Sequence, residues 1–251
     1  MSLRIACDLD GTIADMEGAL QREAEILFGA GVVLRAAGAS HLEAPANQSE
    51  PATFNAQEDS NPEPSSTPSG ASQTPNPARR VITGRQLRQL WEHVAKLENF
   101  WSTLREIEPG SIAKLAAMRN AHRFEVIFLT QRPDTEGEIT QLQTQRWLEA
   151  HGFELPSVFV LQGSRGKAAG ALGLDVVLDD RPENCLEVVT ESKARSLLIW
   201  RDPPETVPPG AARLGIETVF SIGDAFQRIE ALAVQATPST FVSRLRNVIG
   251  I

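Results

Sequence analysis

Short apolar runs alternate along the chain with stretches whose apolar residues recur at helical spacing. Leu3–Leu9 (LRIACDL) is short, mostly apolar and ends in polar residues, which predicts a buried strand. Over 17–28, Leu20, Ala24, Leu27 and Phe28 share one helical face, and Gly29 supplies a stop. Leu87, Leu90, Trp91, Val94 and Leu97 predict an amphipathic helix over 84–98. Pro109 stands at the first turn of a helix that runs to about Ala121. Strands are then predicted at 124–130, 157–161, 175–180, 196–200 and 217–220. Helices fall between them at 136–151, 167–173 and from Pro182, and two more close the chain at 223–234 and 240–249. Apolar strands alternating with helices imply an α/β, Rossmann-like fold: a parallel sheet with helices on both faces. In such sheets the chemistry lies beyond the carboxyl ends of the strands.

One stretch breaks the pattern. Residues 43–80 hold seven of the 16 prolines and contain no Val, Ile, Leu, Met or Trp. Such a composition cannot offset the entropy of ordering, so a disordered or loosely tethered insertion is expected there. The rest of the 251 residues is ordinary globular material, 41% hydrophobic and 22% charged.

The net charge is −8, with 32 acidic against 24 basic residues. There is no basic field for a polynucleotide, whose phosphates dominate affinity. A small phosphorylated substrate remains compatible with that charge. No apolar run reaches the roughly 18 residues of a membrane span, and the first residues lack a signal-peptide pattern. Cys7 and Cys185 are too few for a disulfide framework or a zinc site, so reduced thiols and a cytoplasmic location are expected. A homo-oligomer is possible, but nothing in the pattern specifies one.

The candidate chemistry sits at strand ends. Asp8-Leu9-Asp10-Gly11-Thr12 closes the first predicted strand. Its two carboxylates can converge there, one as nucleophile and one as general acid/base. Thr130 ends a second strand, and Asp179 and Asp180 end a third. Lys167 follows Gly163, Ser164 and Gly166 at a predicted helix start. Singly, each has an ordinary reading as a turn residue, a helix cap or a solvated charge. Jointly they place acid pairs, a hydroxyl and an ammonium at one sheet edge. Carboxylates so close repel without a cation, and hard oxygen ligands suit Mg2+.

This constellation resembles the haloacid dehalogenase superfamily of phosphohydrolases, whose four motifs are matched in order by DLDGT at 8–12, Thr130, Lys167 and DD at 179–180. More narrowly, DLDGTIADMEG at 8–18, EPG at 108–110 and LDDRPENC at 178–185 look like the 5′(3′)-deoxyribonucleotidase branch. The resemblance implies Asp8 as a nucleophile that forms an aspartyl-phosphate and Asp10 as the acid/base. Magnesium would be held by Asp8, the Asp10 main-chain carbonyl and Asp180, with Asp179 as an additional or water-mediated ligand. Thr130 would bind the phosphoryl group, and Lys167 would neutralise nucleophile and phosphate.

The resemblance also implies a core of residues 1–15 and 107–251 and a helical cap over 16–106 that contains the 43–80 insertion. Met16, Gln131 and Arg132 are candidates for substrate contact, with pairing to surface acids an equal reading for Arg132. Trp91, Phe100 and Trp101 are available to stack on a base or, as the favoured reading, to fill the cap interior. The implied activity is a magnesium-dependent phosphomonoesterase acting on a nucleoside monophosphate or another small phosphorylated metabolite. A phosphomutase, or a phosphate-binding module without turnover, are the alternatives.

Overall fold

A computed structural model of the chain describes residues 2–34 and 80–236. The predicted helix 240–249 and the predicted insertion, up to residue 79, lie outside the described residues.

The first strand, β1 (Arg4–Asp8), is central in a six-stranded parallel sheet. It pairs on one side with β4 (Glu125–Thr130), which pairs in turn with β5 (Ser157–Val160). On its other side lie β6 (Val176–Asp179), β7 (Arg195–Ile199) and β8 (Ile216–Val219). The chain thus builds outward from β1 in one direction and then in the other. The topological switch lies between β1 and β6, where ligands of such sheets bind.

The period-two rule explains how β1 serves both faces. Ile5 and Cys7 enter one apolar cluster and Ala6 enters the opposite one. The larger cluster receives α3 (Ser111–His122) and α4 (Thr140–Ala150) through Ile112, Leu115, Trp147 and Leu148. The opposite face takes α5 (Arg165–Leu172) and α6 (Pro182–Glu191) through Ala169 and Val188. The last described helix is α7 (Ile222–Ala236).

Between β1 and α3 lie α1 (Met16–Phe28), a short parallel pair of β2 (Val32–Val33) and β3 (Arg80–Val81), and α2 (Gly84–Val94). Thr83 and Gln86 form a capping box at the start of α2. The outgoing and returning segments run side by side: Asp15 N–H donates to the Arg105 carbonyl and Ile107 N–H to that of Ile13, both at 2.8 Å. Trp91, Phe100 and Trp101 are buried in the larger cluster, as favoured from the sequence.

The predicted helix 136–151 begins later, at Thr140. Its first residues are engaged elsewhere. Glu136 N–H donates to the Ala95 carbonyl, the Glu136 carbonyl accepts from Asn99, and Glu138 N–H donates to Asn99 Oδ1. These bonds strap the segment after β4 to the end of α2.

Candidate active site

The carboxyl ends of β1 and β6 bring three buried acids together. Carboxylate oxygens of Asp8, Asp179 and Asp180 lie within 4.8 Å of one another. β1 ends at Asp8 and β6 at Asp179, so adjacent parallel strands present their acids at one edge. Gly11 lets the third acid approach. Its φ is +85°, and a Cβ there would overlap the Asp180 carboxylate. Thr12 Oγ1 donates to Asp180 Oδ1 at 3.1 Å.

The Asp10 side chain is not part of that triad. Its carboxylate turns away from the triad and takes three bonds from the Arg132 guanidinium at 2.8–3.0 Å and one from Thr130 Oγ1 at 2.9 Å. Of Asp10, only the main-chain carbonyl is left as a possible metal ligand.

Arg132, read from the sequence as a substrate contact or a partner of surface acids, is buried and pairs with Asp10. Its guanidinium lies 4.9 Å from the Trp101 ring centre and 5.9 Å from that of Trp147, and Nη1 donates to Thr144 Oγ1. Two aromatic rings and a hydroxyl therefore fix the group that fixes Asp10. Thr130 is fully buried. Gln131 is exposed and donates to the Gly163 carbonyl. Met16 is half-buried and lines a pocket of about 210 Å³ with Gly11, Asp180, Trp200, Arg201 and Asp202.

The structure puts Arg165, rather than Lys167, against the acids. Arg165 is buried, its Nη2 bonds Asp8 Oδ1, and its Nε donates to Asp179 Oδ2 at 3.1 Å. Lys167 is exposed, two residues further along α5. The reason is helix packing. At Gly166 a Cβ would overlap the Glu187 carbonyl of α6, so that face of α5 lies hard against its neighbour. Arg165 N–H is also tied to Glu187 Oε2 at 2.7 Å. Ser164 caps the helix by accepting from Gly166 and Lys167 N–H.

The electrostatics follow from burial. Desolvation pushes the Asp8 carboxyl well above the usual carboxylate range; Arg165 opposes this, while Asp179, Asp180 and Asp10 add to it. Burial and the neighbouring Asp179 push Asp180 up to about 7, against the Thr12 hydrogen bond and the Arg201 charge. Asp179 accepts from Arg165, from Arg181 N–H and twice from Asn184 Nδ2. Burial works against the Arg165 charge, but Asp8 and Asp179 outweigh it and raise its pKa. Arg165 thus pairs with two of the three carboxylates, and the Arg201 charge acts on the third. The donor set of Asp8, Asp179 and Asp180 fits a divalent cation with oxygen ligands.

Cys7 and Cys185 are free buried thiols. Burial pushes Cys7 up to about 12 and also raises Cys185, so neither is poised as a nucleophile. No helix among the described residues is long and apolar enough to cross a membrane.

No family model and no curated protein matches the sequence. Solved structures do. A HAD family hydrolase from Deinococcus radiodurans R1, described with bound phosphate and sodium, superposes with a TM-score of 0.52 at 16% identity, covering 95% of this chain and 99% of that one. A haloacid dehalogenase-like family hydrolase from Xanthomonas campestris superposes with a TM-score of 0.46 at 11% identity, covering 94% and 97%. The chain has the α/β fold of the HAD hydrolases, with its converging acids at the sheet edge where that fold binds ligands.

Proposed function

We propose that this protein is a phosphomonoesterase that works through an aspartyl-phosphate on Asp8, with a divalent cation, Mg2+, bound at the acid cluster. One observation carries the reading. The nucleophile candidate is paired with a buried guanidinium whose Nη1 has no hydrogen-bond acceptor. A buried donor of that kind calls for an anionic oxygen, and a phosphoryl group supplies one beside Asp8. The bound phosphate of the Deinococcus hydrolase supports the same class of ligand.

In this reading an Asp8 oxygen attacks phosphorus, the ester P–O bond breaks, and Asp10 protonates the departing alkoxide. Water then attacks the phosphoryl group while Asp10 takes its proton. The bond to Asp8 breaks and phosphate leaves. Arg165 neutralises charge on nucleophile and phosphoryl oxygens. The cation, when bound, would offset the remaining carboxylate charge and polarise the phosphoryl group. Residues 16–106 act as a cap over a core of 1–15 and 107–251, and the leaving group lies in the pocket that Met16 lines. A nucleoside monophosphate is one substrate class for this arrangement, alongside other small phosphate esters.

The test is phosphate release from p-nitrophenyl phosphate and from panels of nucleotides, sugar phosphates and phosphoamino acids. Activity with Mg2+ that is lost on chelation and in Asp8→Asn is expected. Equal activity in Asp8→Asn overturns the mechanism. Transfer of the phosphoryl group between substrate hydroxyls without net phosphate release would instead mark a phosphomutase.

A further inference from the structure

The turn after β1 carries two outward carbonyls, those of Gly11 and Thr12. Among the described residues, their hydrogen bonds come from one side chain. Arg201, just past the end of β7, donates from Nη1 to the Gly11 carbonyl at 2.6 Å and from Nη2 to that of Thr12 at 2.9 Å. The same Nη2 lies 3.3 Å from Glu108 Oε1, which also accepts from Ile222 N–H at 2.9 Å at the start of α7. A chain of contacts therefore runs from α7 through Glu108 and Arg201 into the turn.

The turn matters because of what it holds. It follows directly on Asp10. Its Thr12 hydroxyl bonds Asp180, and its Gly11 sits against the Asp180 carboxylate. Fixing the Gly11 and Thr12 peptides fixes both relations at once. Only a planar fork spans two adjacent carbonyls in this way; an ammonium is a point donor. Arg201 donates to neither Asp8 nor Asp10; its charge acts on Asp180, and it lines the pocket beside Met16. It sets the backbone to which Gly11 and Thr12 belong.

We propose that Arg201, oriented by Glu108, is a positioning residue: it clamps the Gly11–Thr12 turn in the geometry that holds Asp180 beside Asp8. The proposal rests on the phosphohydrolase reading of that site.

The experiment compares wild type with Arg201→Gln, Arg201→Lys and Glu108→Gln in the full chain. It measures kcat and KM on p-nitrophenyl phosphate, Mg2+ affinity by calorimetry without substrate, and Tm. Arg201→Gln should lower kcat and weaken Mg2+ binding in the absence of substrate, each by roughly 10–100-fold. Arg201→Lys should not restore either, and Glu108→Gln should show a smaller loss of the same kind. Unchanged kcat and Mg2+ affinity in Arg201→Gln overturns the proposal. So does full rescue by Arg201→Lys, which would reduce the role to charge. A kcat loss matched by a collapse in Tm also overturns it, because the role would then be structural. If wild type hydrolyses no phosphate ester, the phosphohydrolase reading fails by itself. The Mg2+ titration of the variants then decides the clamp: weaker binding upholds it, and equal binding overturns it.

Discussion

Arg132 closes on Asp10 with two nitrogens, Nε and Nη2, at 2.8–3.0 Å, in an interior walled by Trp101 and Trp147. The acid/base candidate is therefore held by a group that cannot reach solvent. Removing one partner of a buried pair leaves an uncompensated charge. Arg132→Ala is expected to destabilise the protein by about 3 kcal/mol or more in denaturant unfolding. Arg132→Lys, which keeps the charge and loses the fork, should lower kcat at least about tenfold while recovering part of the stability. A neutral Arg132→Ala would contradict the clamp.

Arg165 and Lys167 make opposite predictions although two residues apart. Arg165 is buried between Asp8 and Asp179, and Lys167 is exposed. Arg165→Ala should lower kcat by roughly 100–1000-fold, the cost of losing a charge aimed at the developing oxyanion. Lys167→Ala should stay within about threefold of wild type, since surface charges contribute little. Parallel steady-state kinetics check this, and the reverse order would return the role to Lys167.

Stability should depend on pH through the acid cluster. Asp180 is pushed up to about 7 from an ordinary value of 3.8, and Asp8 is raised as well, burial being the main cause for both. Acids raised in this way bind protons more tightly folded than unfolded. Their contribution to stability is fully present below the unfolded value and is lost as pH rises through the folded one. Chelated protein should therefore melt lower at about pH 8 than at about pH 5, and Mg2+ should raise Tm more at the higher pH. Asp180→Asn should flatten the curve. Melting temperatures in EDTA that are insensitive to pH over that window would refute this.

Gly11→Ala places a methyl group where the Asp180 carboxylate lies, at a backbone φ of +85°. A loss of about 1–3 kcal/mol is expected from strain alone. Mg2+ affinity should fall with it, because relief of the overlap moves Asp180. Unfolding and calorimetric titration of the same variant test both effects.

Much of the framework was legible in the sequence because strands in a parallel sheet are continuous apolar runs that end where polar residues begin. LRIACDL, FEVIFLT and DVVLDD each mark a strand and its polar end without any knowledge of neighbours. That logic put Asp8, Asp10, Thr130, Asp179 and Asp180 at or just past strand ends.

Side-chain direction beyond the strand ends was not legible. Arg165 and Lys167 are both basic residues in one helical turn, and periodicity treats them alike. The packing of Gly166 on Glu187 selects which of them enters the site. Arg132 read as a surface or substrate-facing charge because Trp101 and Trp147, which enclose it, come from separate elements. Arg201 carried no signal at all, since its partners are the main-chain carbonyls of a turn far away in sequence. The sequence by itself determined the α/β sheet and the carboxylates at its edge, which follow from local patterning. Only the tertiary structure decided which cations meet them, because burial of a charge depends on partners that local patterning does not encode.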